Sequence, residues 1–355
     1  MKRANVRIKS AFLSALVLAM VVWVNAGSLT PPAGPVAPTM KDLATVEPRT
    51  PISFIPLTIS GPGSYYLTRD LTGTAGAHGI IIASSDVSLD FRGFTIRGIP
   101  GSLNGVHVSG ARSRIRIENG NATGWGGDGI NTLTSDKTQV IMFMSQGNGG
   151  SGVNTNGGTT VLYMSCNNNT GPGLSIGDKC ICKDAECCGN GQDGIRTGSG
   201  CKIEDCVASS NGGNGINAGA GSIVTICDTQ SNDANGISAA VGCSVTNCNV
   251  RSNTAHGIEA AGQCLVLENN ATANATGIRV FSSSTGGTRV ESNNAAFNTT
   301  FNFDIASPAN FIVKNSSAGP GTGYNIVAGN DFGAIISLGG GGPFTVANTW
   351  ANFDY

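Results

Sequence analysis

Hydrophobic and polar positions repeat along most of this chain with a period of about 21 residues. A glycine followed by isoleucine, valine or leucine recurs, and five consecutive steps between Gly152 and Gly257 are 21 residues each. A second marker, asparagine, keeps the same phase at Asn148, Asn169, Asn190, Asn211, Asn232 and Asn253. Beyond Gly277, we expect Asp304 and Asn325 to take the glycine's place, because Asp, Asn and Gly all tolerate positive φ.

A repeat of this length is typical of a solenoid. The chain is poor in leucine and has no fixed leucine pattern, which excludes a leucine-rich repeat. The unit from Asn190 to Ser210 contains three short alternating segments separated by Gly, Asn, Asp and Ser turns, and no segment long enough for a helix. The sequence therefore predicts an all-β fold: a single-stranded parallel β-helix with three short strands per coil and about a dozen coils of about 21 residues.

Residues in the same phase should stack in columns about 4.8 Å apart along the axis. The column after the repeat glycines is aliphatic throughout and should point inward: Ile80, Val106, Ile130, Val153, Leu174, Ile195, Ile216, Ile237, Ile258 and Ile278. A second inward column is Val161, Cys182, Ile203, Val224, Val245 and Val266. The asparagine column should lie at a turn, where stacked amides form a ladder that supports the fold rather than a ligand.

The 11 cysteines follow the same columns, and only Cys188 has an outward phase. An odd number cannot pair completely within one chain, and stacked neighbours lie slightly too far apart for ideal disulfide geometry. A tetrahedral zinc site needs ligands that converge, which a one-dimensional column does not provide. These arguments favour buried thiols that pack as small hydrophobic groups, with disulfides or a metal site as the alternatives.

The ends of the chain differ from the repeat. Residues 1–26 combine four basic residues, a 14-residue apolar run and a small-residue cleavage site, which predicts a signal peptide cut after Ala26. An uncleaved anchor is the alternative. Residues 27–51 form a proline-rich leader or N-terminal cap, 52–343 the β-helix, and 344–355 an aromatic C-terminal cap over the last sheet edge. We expect an exported monomer without a membrane span after cleavage, extracellular, at the cell surface or periplasmic.

Composition restricts the class of partner. Charged residues make up 12% of the chain and the net charge is −1. With 40% hydrophobic residues, such a chain can build a core, so intrinsic disorder is excluded. The weak charge also argues against nucleic-acid binding.

The segment from Asp86 to Ile96, followed by coils with the pattern Asn-x-x-x-Gly-Ile, resembles the secreted bacterial right-handed parallel β-helix proteins of the pectin-lyase-like superfamily. The segment from Tyr65 to Leu71 fits the first strand of that group. The resemblance implies a right-handed coil and a polysaccharide partner. It does not imply one activity, because the superfamily contains lyases, hydrolases, epimerases, tailspikes and adhesins. The characteristic hydrolase and epimerase motifs are absent here.

A candidate binding face lies early in the repeat. Arg112, Arg114 and Arg116 alternate with Ile115 and Ile117, which predicts three guanidinium groups on one outward face. Such a row can hold the carboxylates of a uronic-acid polymer.

Alignment of neighbouring coils adds carboxylates to this face. Pairing Val87 with Ile115 places Asp86 beside Arg114 and Asp90 beside Glu118. The Asp90–Glu118 stack could share a Ca²⁺ ion if the protein were a lyase. The alternative interpretation is a solvated charged face with ion pairs between coils, which shields the sheet.

The outward position after each Gly-Ile pair forms a polar strip that could bind a sugar polymer. It consists of Ile81, His107, Asn131, Asn154, Ser175, Arg196, Asn217, Ser238, Glu259 and Arg279. His107 and Arg196 are further candidate binding residues. We expect Glu259 and Arg279 to form an exposed ion pair and His107 and His256 to be solvated.

Two functions remain compatible with the sequence. The first is a non-catalytic exported solenoid that binds, or presents itself at, extracellular or surface polysaccharide. The second is a polysaccharide lyase that acts on a uronic-acid polymer through Arg112, Arg114 and Arg116. The missing catalytic motifs favour the first.

Overall fold

The computed structural model describes residues 48–281, 286–338 and 348–355. The predicted signal peptide and residues 27–47 of the leader lie outside these ranges. The described residues form 39 β-strands and no helix, so none of them forms a helix that could span a membrane.

Sheet 1 contains 13 parallel strands, one from each coil. Its strands are Leu57–Ile59, Ile80–Ile82, Val106–Val108, Ile130–Thr132, Val153–Thr155, Leu174–Ile176, Ile195–Thr197, Ile216–Ala218, Ile237–Ala239, His256–Ala260, Thr276–Val280, Phe301–Ile305 and Thr322–Ile326.

Sheet 2 contains 24 strands, two from most coils, and wraps around the other sides of the solenoid. Its strands are Thr50–Ile52, Gly63–Leu67, Leu71–Thr72, Val87–Asp90, Thr95–Arg97, Ile115–Thr123, Gln139–Gln146, Thr160–Asn167, Ile181–Cys188, Lys202–Glu204, Val207–Ser209, Ile223–Thr225, Asp228–Gln230, Ser244–Thr246, Asn249–Arg251, Leu265–Leu267, Asn270–Thr272, Arg289–Glu291, Asn294–Ala296, Phe311–Val313, Ser316–Ala318, Asp331–Phe332, Ile335–Ser337 and Asn352–Asp354. Arg112–Ser113 and Ser135–Asp136 form a separate two-stranded sheet.

The predicted β-helix is confirmed, with three short strands in each regular coil. In one coil these are Ile195–Thr197, Lys202–Glu204 and Val207–Ser209. Each pairs in parallel with the equivalent strand 21 residues later, as Ile195 does with Ile216. Both predicted inward columns are fully buried, from Ile80 to Ile278 in sheet 1 and from Val161 to Val266 in sheet 2.

Each coil turns three corners, and each corner uses one residue with left-handed backbone. In one coil these residues are Gly200, Asp205 and Ser210, with φ of 67°, 53° and 56°. The next residue at each corner points inward, and at two of them its side chain accepts a backbone N–H from the previous coil. Asn211 Oδ1 accepts from Asn190 N at 3.0 Å, and Cys201 Sγ accepts from Cys180 N at 3.3 Å. The corners therefore satisfy buried backbone donors through side chains.

The predicted asparagine ladder is confirmed at one corner. Each Nδ2 donates to the Oδ1 of the next asparagine, as Asn211 does to Asn232 at 2.9 Å. The ladder continues past Asn253 through Asn274 and Asn298 to Asn302. A second ladder, which the sequence analysis missed, occupies another corner and consists of Asn269, Asn293, Asn315 and Asn352.

The repeat glycines are required for a different reason from the one expected. Gly215 is not among the residues with positive φ. A Cβ atom at Gly215 would lie 2.7 Å from Asn232 Nδ2 and 2.7 Å from the Gly236 carbonyl oxygen. Close approach of the next coil and its ladder therefore excludes a side chain here.

The expected phase of Asp304 and Asn325 is also wrong. Asp304 pairs with Arg279, and Asn325 pairs with Asp304, so both lie in the outward column of sheet 1. The coil that precedes them is longer than 21 residues, and the extra residues shift the register. Asn302 takes the glycine position instead, since Ile278 pairs with Phe303, and its side chain accepts the last hydrogen bond of the ladder.

All 11 cysteines are free, ten are buried, and Cys188 is half-buried, as its phase predicts. The sulfurs are more than hydrophobic filling, because they hydrogen-bond to the backbone of neighbouring coils. Cys201 Sγ donates to the Gly177 carbonyl at 3.1 Å, and Cys180 Sγ accepts from Thr159 N at 3.3 Å. Cysteine thus replaces asparagine at two of the three corners.

The C-terminal residues that the structure describes complete sheet 2. Strand Asn352–Asp354 pairs in parallel with both Ser316–Ala318 and Ile335–Ser337. The Trp350 ring meets the Phe311 ring at 6.1 Å in an edge contact. Residues 344–347 of the predicted cap lie outside the described ranges.

Candidate functional site

The arginine face has the predicted register but not the predicted single row. Val87 pairs with Ile115, and Asp90 pairs with Glu118. Arg114 has left-handed backbone, with φ of 55°, so the strand alternation does not extend back to Arg112. Arg112 belongs to the two-stranded sheet, and its Nε donates to the Ser109 carbonyl at 3.1 Å.

The other two guanidinium groups of this face are paired with carboxylates of the same chain. Arg114 donates to Asp86 through both Nε and Nη2, the second of these at 2.7 Å. Hydrogen bonding to Arg114 lowers the pKa of Asp86. Arg116 Nη2 contacts Glu118 Oε2 at 2.6 Å, and its Nη1 donates to Gln139 at 2.9 Å. This arrangement matches the interpretation of a charged face with ion pairs.

The acidic stack of this face is paired in the same way. Asp90 Oδ2 accepts from Arg49 Nη1 at 3.1 Å, and Asp90 Oδ1 accepts from Arg92 N at 2.8 Å. Glu118 is the partner of Arg116. Across residues 48–281, 286–338 and 348–355, no three histidine, cysteine or carboxylate side chains form a group that could hold a metal ion.

The polar strip is a continuous outward column of sheet 1. The pairing runs from Ile81 through His107 to Arg279 without a break in register. Asp304 and Asn325 extend it by two coils at the C-terminal end. The strip therefore crosses 12 consecutive coils, and its side chains are polar in 11 of them, from His107 to Asn325.

A second column, two residues before each inward aliphatic residue, lies along the strip and holds it in place. Asp193 Oδ2 accepts from Arg196 Nε at 2.9 Å and from Asn217 Nδ2 at 3.2 Å. Asp128 Oδ2 bonds to Asn131 and Asn154 in the same manner. The sequence carried a signal for this column, since Asp193, Asn214, Asn235 and His256 are 21 residues apart.

At the N-terminal end of the strip, two histidines stack on each other. The rings of His78 and His107 lie 4.3 Å apart and nearly parallel. His78 Nδ1 accepts from Asn104 N at 3.1 Å, and His107 Nδ1 is buried without a hydrogen-bond partner. Burial lowers the pKa of both rings, so both are neutral at pH 7. The expectation that His107 is solvated is therefore wrong.

At the other end, four ionisable side chains from three coils form a half-buried group, which we call the His256 cluster. It consists of His256, Glu259, Arg279 and Asp304. Arg279 Nη1 donates to His256 Nε2 at 3.0 Å, and burial lowers the pKa of His256. His256 is thus not solvated, and the Glu259–Arg279 pair is not the exposed pair that we expected.

The two arginines of the strip are held differently. Arg196 hydrogen-bonds directly to a carboxylate, that of Asp193. Arg279 lies 3.8 Å from Glu259 and 3.5 Å from Asp304, and its Nε has no hydrogen-bond partner. Its donors are therefore less satisfied than those of Arg114, Arg116 and Arg196. The Nε atom is buried, so a hydroxyl-rich ligand can reach this side chain, which is 34% exposed, only at the other guanidinium nitrogens.

Comparisons with known proteins agree with the fold. The chain is similar to the A-module of the Azotobacter vinelandii mannuronan C-5 epimerase AlgE4, with a TM-score of 0.61, 16% identity and coverage of 76% of this chain and 90% of that one. It is also similar to a double mutant of the periplasmic alginate epimerase AlgG, with a TM-score of 0.55, 13% identity and coverage of 75% and 77%. No protein-family model and no curated protein sequence matches the chain. The class that these observations define is the right-handed parallel β-helix.

Proposed function

We propose that this protein is exported and binds a polysaccharide along the polar strip of sheet 1, without catalysis. The observation that carries the proposal is the strip itself, in which polar side chains repeat at the strand spacing over 11 coils, from His107 to Asn325. A linear polymer can contact such a surface at many successive positions. Its hydroxyl groups are both donors and acceptors, as are the amide and hydroxyl side chains of the strip.

The His256 cluster is the point of the strip where we expect the strongest contact. The Arg279 side chain is 34% exposed, and its contacts with Glu259 and Asp304 are long, at 3.8 Å and 3.5 Å. Hydrogen bonds that involve a charged group contribute more to binding than those between neutral groups. The cluster thus supplies the strongest contact with the polysaccharide, and the neighbouring asparagine and serine side chains extend the site.

The alternative, a uronan lyase that uses Arg112, Arg114 and Arg116, receives less support. Arg114 and Arg116 already form short ion pairs with Asp86 and Glu118. A polymer carboxylate would have to displace those partners, and a lyase also needs a free base near the acidic carbon. Structural similarity to epimerases at 13–16% identity supports the shared fold and a carbohydrate partner, but not their activity.

Binding can be measured by affinity electrophoresis and calorimetry against a panel of neutral and acidic polysaccharides. We expect Arg279→Ala to weaken binding about tenfold, which corresponds to the loss of one charged hydrogen bond. Arg116→Ala, on the charged face of sheet 2, is the matched control and should leave affinity unchanged. Equal loss in both variants, or no binding to any polymer, would contradict the proposal.

Lyase activity is tested in the same samples by ultraviolet absorbance of unsaturated sugar ends, with pectate and alginate as substrates. We expect no increase in absorbance. An increase that Arg114→Ala abolishes would replace the binding proposal with the lyase.

A further inference from the structure

We propose that Cys182 and Cys206 are a disulfide-forming pair that links two neighbouring coils when the chain folds in the presence of a disulfide oxidant. Their Sγ atoms lie 3.8 Å apart, and both residues are buried in the core. The inference does not depend on the proposed binding function.

The two cysteines face each other because they belong to different columns. Cys182 lies in the inward column of a sheet 2 strand and pairs with Ile203 of the next coil. Cys206 follows Asp205, the left-handed corner residue of that coil, and therefore points back across the corner. Stacked cysteines of one column have parallel side chains at the strand spacing, which is unfavourable for a disulfide. A diagonal pair does not have this restriction.

Cysteine sulfurs also hydrogen-bond to the backbone, and Cys206 Sγ itself donates to the Glu204 carbonyl at 3.2 Å. Cys243 Sγ donates to the Gly219 carbonyl at 3.2 Å, and Cys264 Sγ donates to the Ala240 carbonyl at 3.2 Å. Cys182 is hydrogen-bonded to Cys206, and this contact lowers the pKa of Cys206. The thiolate is the nucleophile in disulfide exchange, and each cysteine supplies it from the open, solvated chain before this contact forms.

The oxidant is a low-molecular-weight disulfide or the disulfide of a thiol oxidoreductase. The Cys206 thiolate attacks one sulfur of that disulfide and releases one thiolate, which leaves a mixed disulfide on Cys206. The Cys182 thiolate then attacks the Cys206 sulfur and releases the second thiolate. Two protein thiols are oxidised and one external disulfide is reduced to two thiols. Because both residues are buried in the folded chain, the exchange takes place during folding, before the coil closes.

The test is to refold the reduced chain with glutathione and its disulfide, denature it, alkylate the free thiols and measure the mass. We expect nine of the 11 cysteines to be alkylated and one disulfide to remain. Tryptic digestion should then link the peptide 180–183 to the peptide 203–251. Eleven alkylated cysteines, or a link between other peptides, would overturn the proposal.

Variants assign the pair. Cys182→Ser and Cys206→Ser should each abolish the disulfide, whereas Cys180→Ser and Cys243→Ser should keep it. Thiols are counted in the denatured state, so the result can be read even when a variant folds poorly.

In the wild type, reduction of the refolded protein should lower Tm by several degrees, and the Cys243→Ser control should respond in the same way. A wild-type Tm that reduction does not change would show that no such link is formed.

Discussion

At the scale of single residues, the corners decide which side chains the chain tolerates. One corner column has left-handed backbone at Met142, Tyr163, Asp184, Asp205, Ile226, Asn247 and Glu268. Asn and Asp adopt this conformation at low cost, whereas a β-branched residue does not. Ile226, with φ of 55° and 55% of its surface exposed, therefore carries backbone strain without the compensation of burial.

We expect Ile226→Asn to raise the free energy of unfolding by about 1 kcal/mol, because asparagine relieves the left-handed strain. Urea denaturation followed by circular dichroism measures the change. Ile223→Asn is the control, since Ile223 is similarly exposed but lies in an extended strand, Ile223–Thr225. A gain of the same size in the control would assign the effect to surface polarity instead of the backbone.

The ladder asparagines are the opposite case, since each is buried and fully hydrogen-bonded. Asn232 donates to Asn253 Oδ1 at 2.9 Å and to the Ala208 carbonyl at 3.1 Å, and it accepts from Asn211. We expect Asn232→Ala to cost about 2–4 kcal/mol, because it leaves buried partners unsatisfied. Thermal unfolding should show a clear loss for this variant and a small one for Asn217→Ala on the outward strip. Equal Tm values would refute the role of the ladder.

At the scale of elements, the two sheets differ in role: the charges on sheet 2 are paired within the chain, and sheet 1 carries the candidate binding strip. On sheet 2, the charged side chains beside Arg114 and Arg116 neutralise each other within the chain. On sheet 1, two polar columns interlock across the strands, and Arg279 of the His256 cluster is 34% exposed near one end. All three histidines of the chain lie along this face, two of them stacked across neighbouring coils.

This histidine arrangement predicts loss of stability in mild acid. Burial lowers the pKa of His78, His107 and His256 in the folded protein. The unfolded chain therefore binds protons first, at its ordinary pKa of about 6.5. The contribution of the neutral histidines to the free energy of unfolding is fully present above that pH. It is lost as the pH falls toward the lowered pKa values of the folded protein. Tm measured from pH 8 to pH 5 should decrease, and less so in the double variant His78→Asn, His107→Asn. The same decrease in both proteins would contradict this assignment.

At the scale of the whole molecule, the solenoid is a stack in which each coil covers the edge of its neighbour. Exposed terminal edges are a liability in such folds, because unpaired strands can pair with other molecules. At the C-terminal end, Asn352–Asp354 pairs with two strands of sheet 2, and Asn352 ends one of the asparagine ladders.

Removal of residues 348–355 should therefore expose two strands and the Asn315 amide. We expect the truncated protein to self-associate, as measured by size-exclusion chromatography with light scattering. Trp350→Ala, which keeps the final strand, serves as the control. Its molar mass in solution should equal that of the full-length chain. A monomeric truncated protein would show that this strand does not protect the edge.

The sequence by itself determined the coil, the inward columns and the first asparagine ladder. In a repeated coil, residues at equivalent positions have equivalent surroundings, so one repeat predicts the next. Register between Val87 and Ile115 followed from the same rule. Where the coil length changes, the rule fails, and Asp304 moved from the glycine column to the polar strip.

Only the tertiary structure decided which polar groups are satisfied within the chain. The stacking of His78 on His107 and the contact between Cys182 and Cys206 both join different coils. Side-chain direction at a corner depends on one left-handed residue, which the periodic pattern does not mark. For that reason the sequence located the polar strip, but the long contacts of Arg279 with Glu259 and Asp304 became visible only in three dimensions.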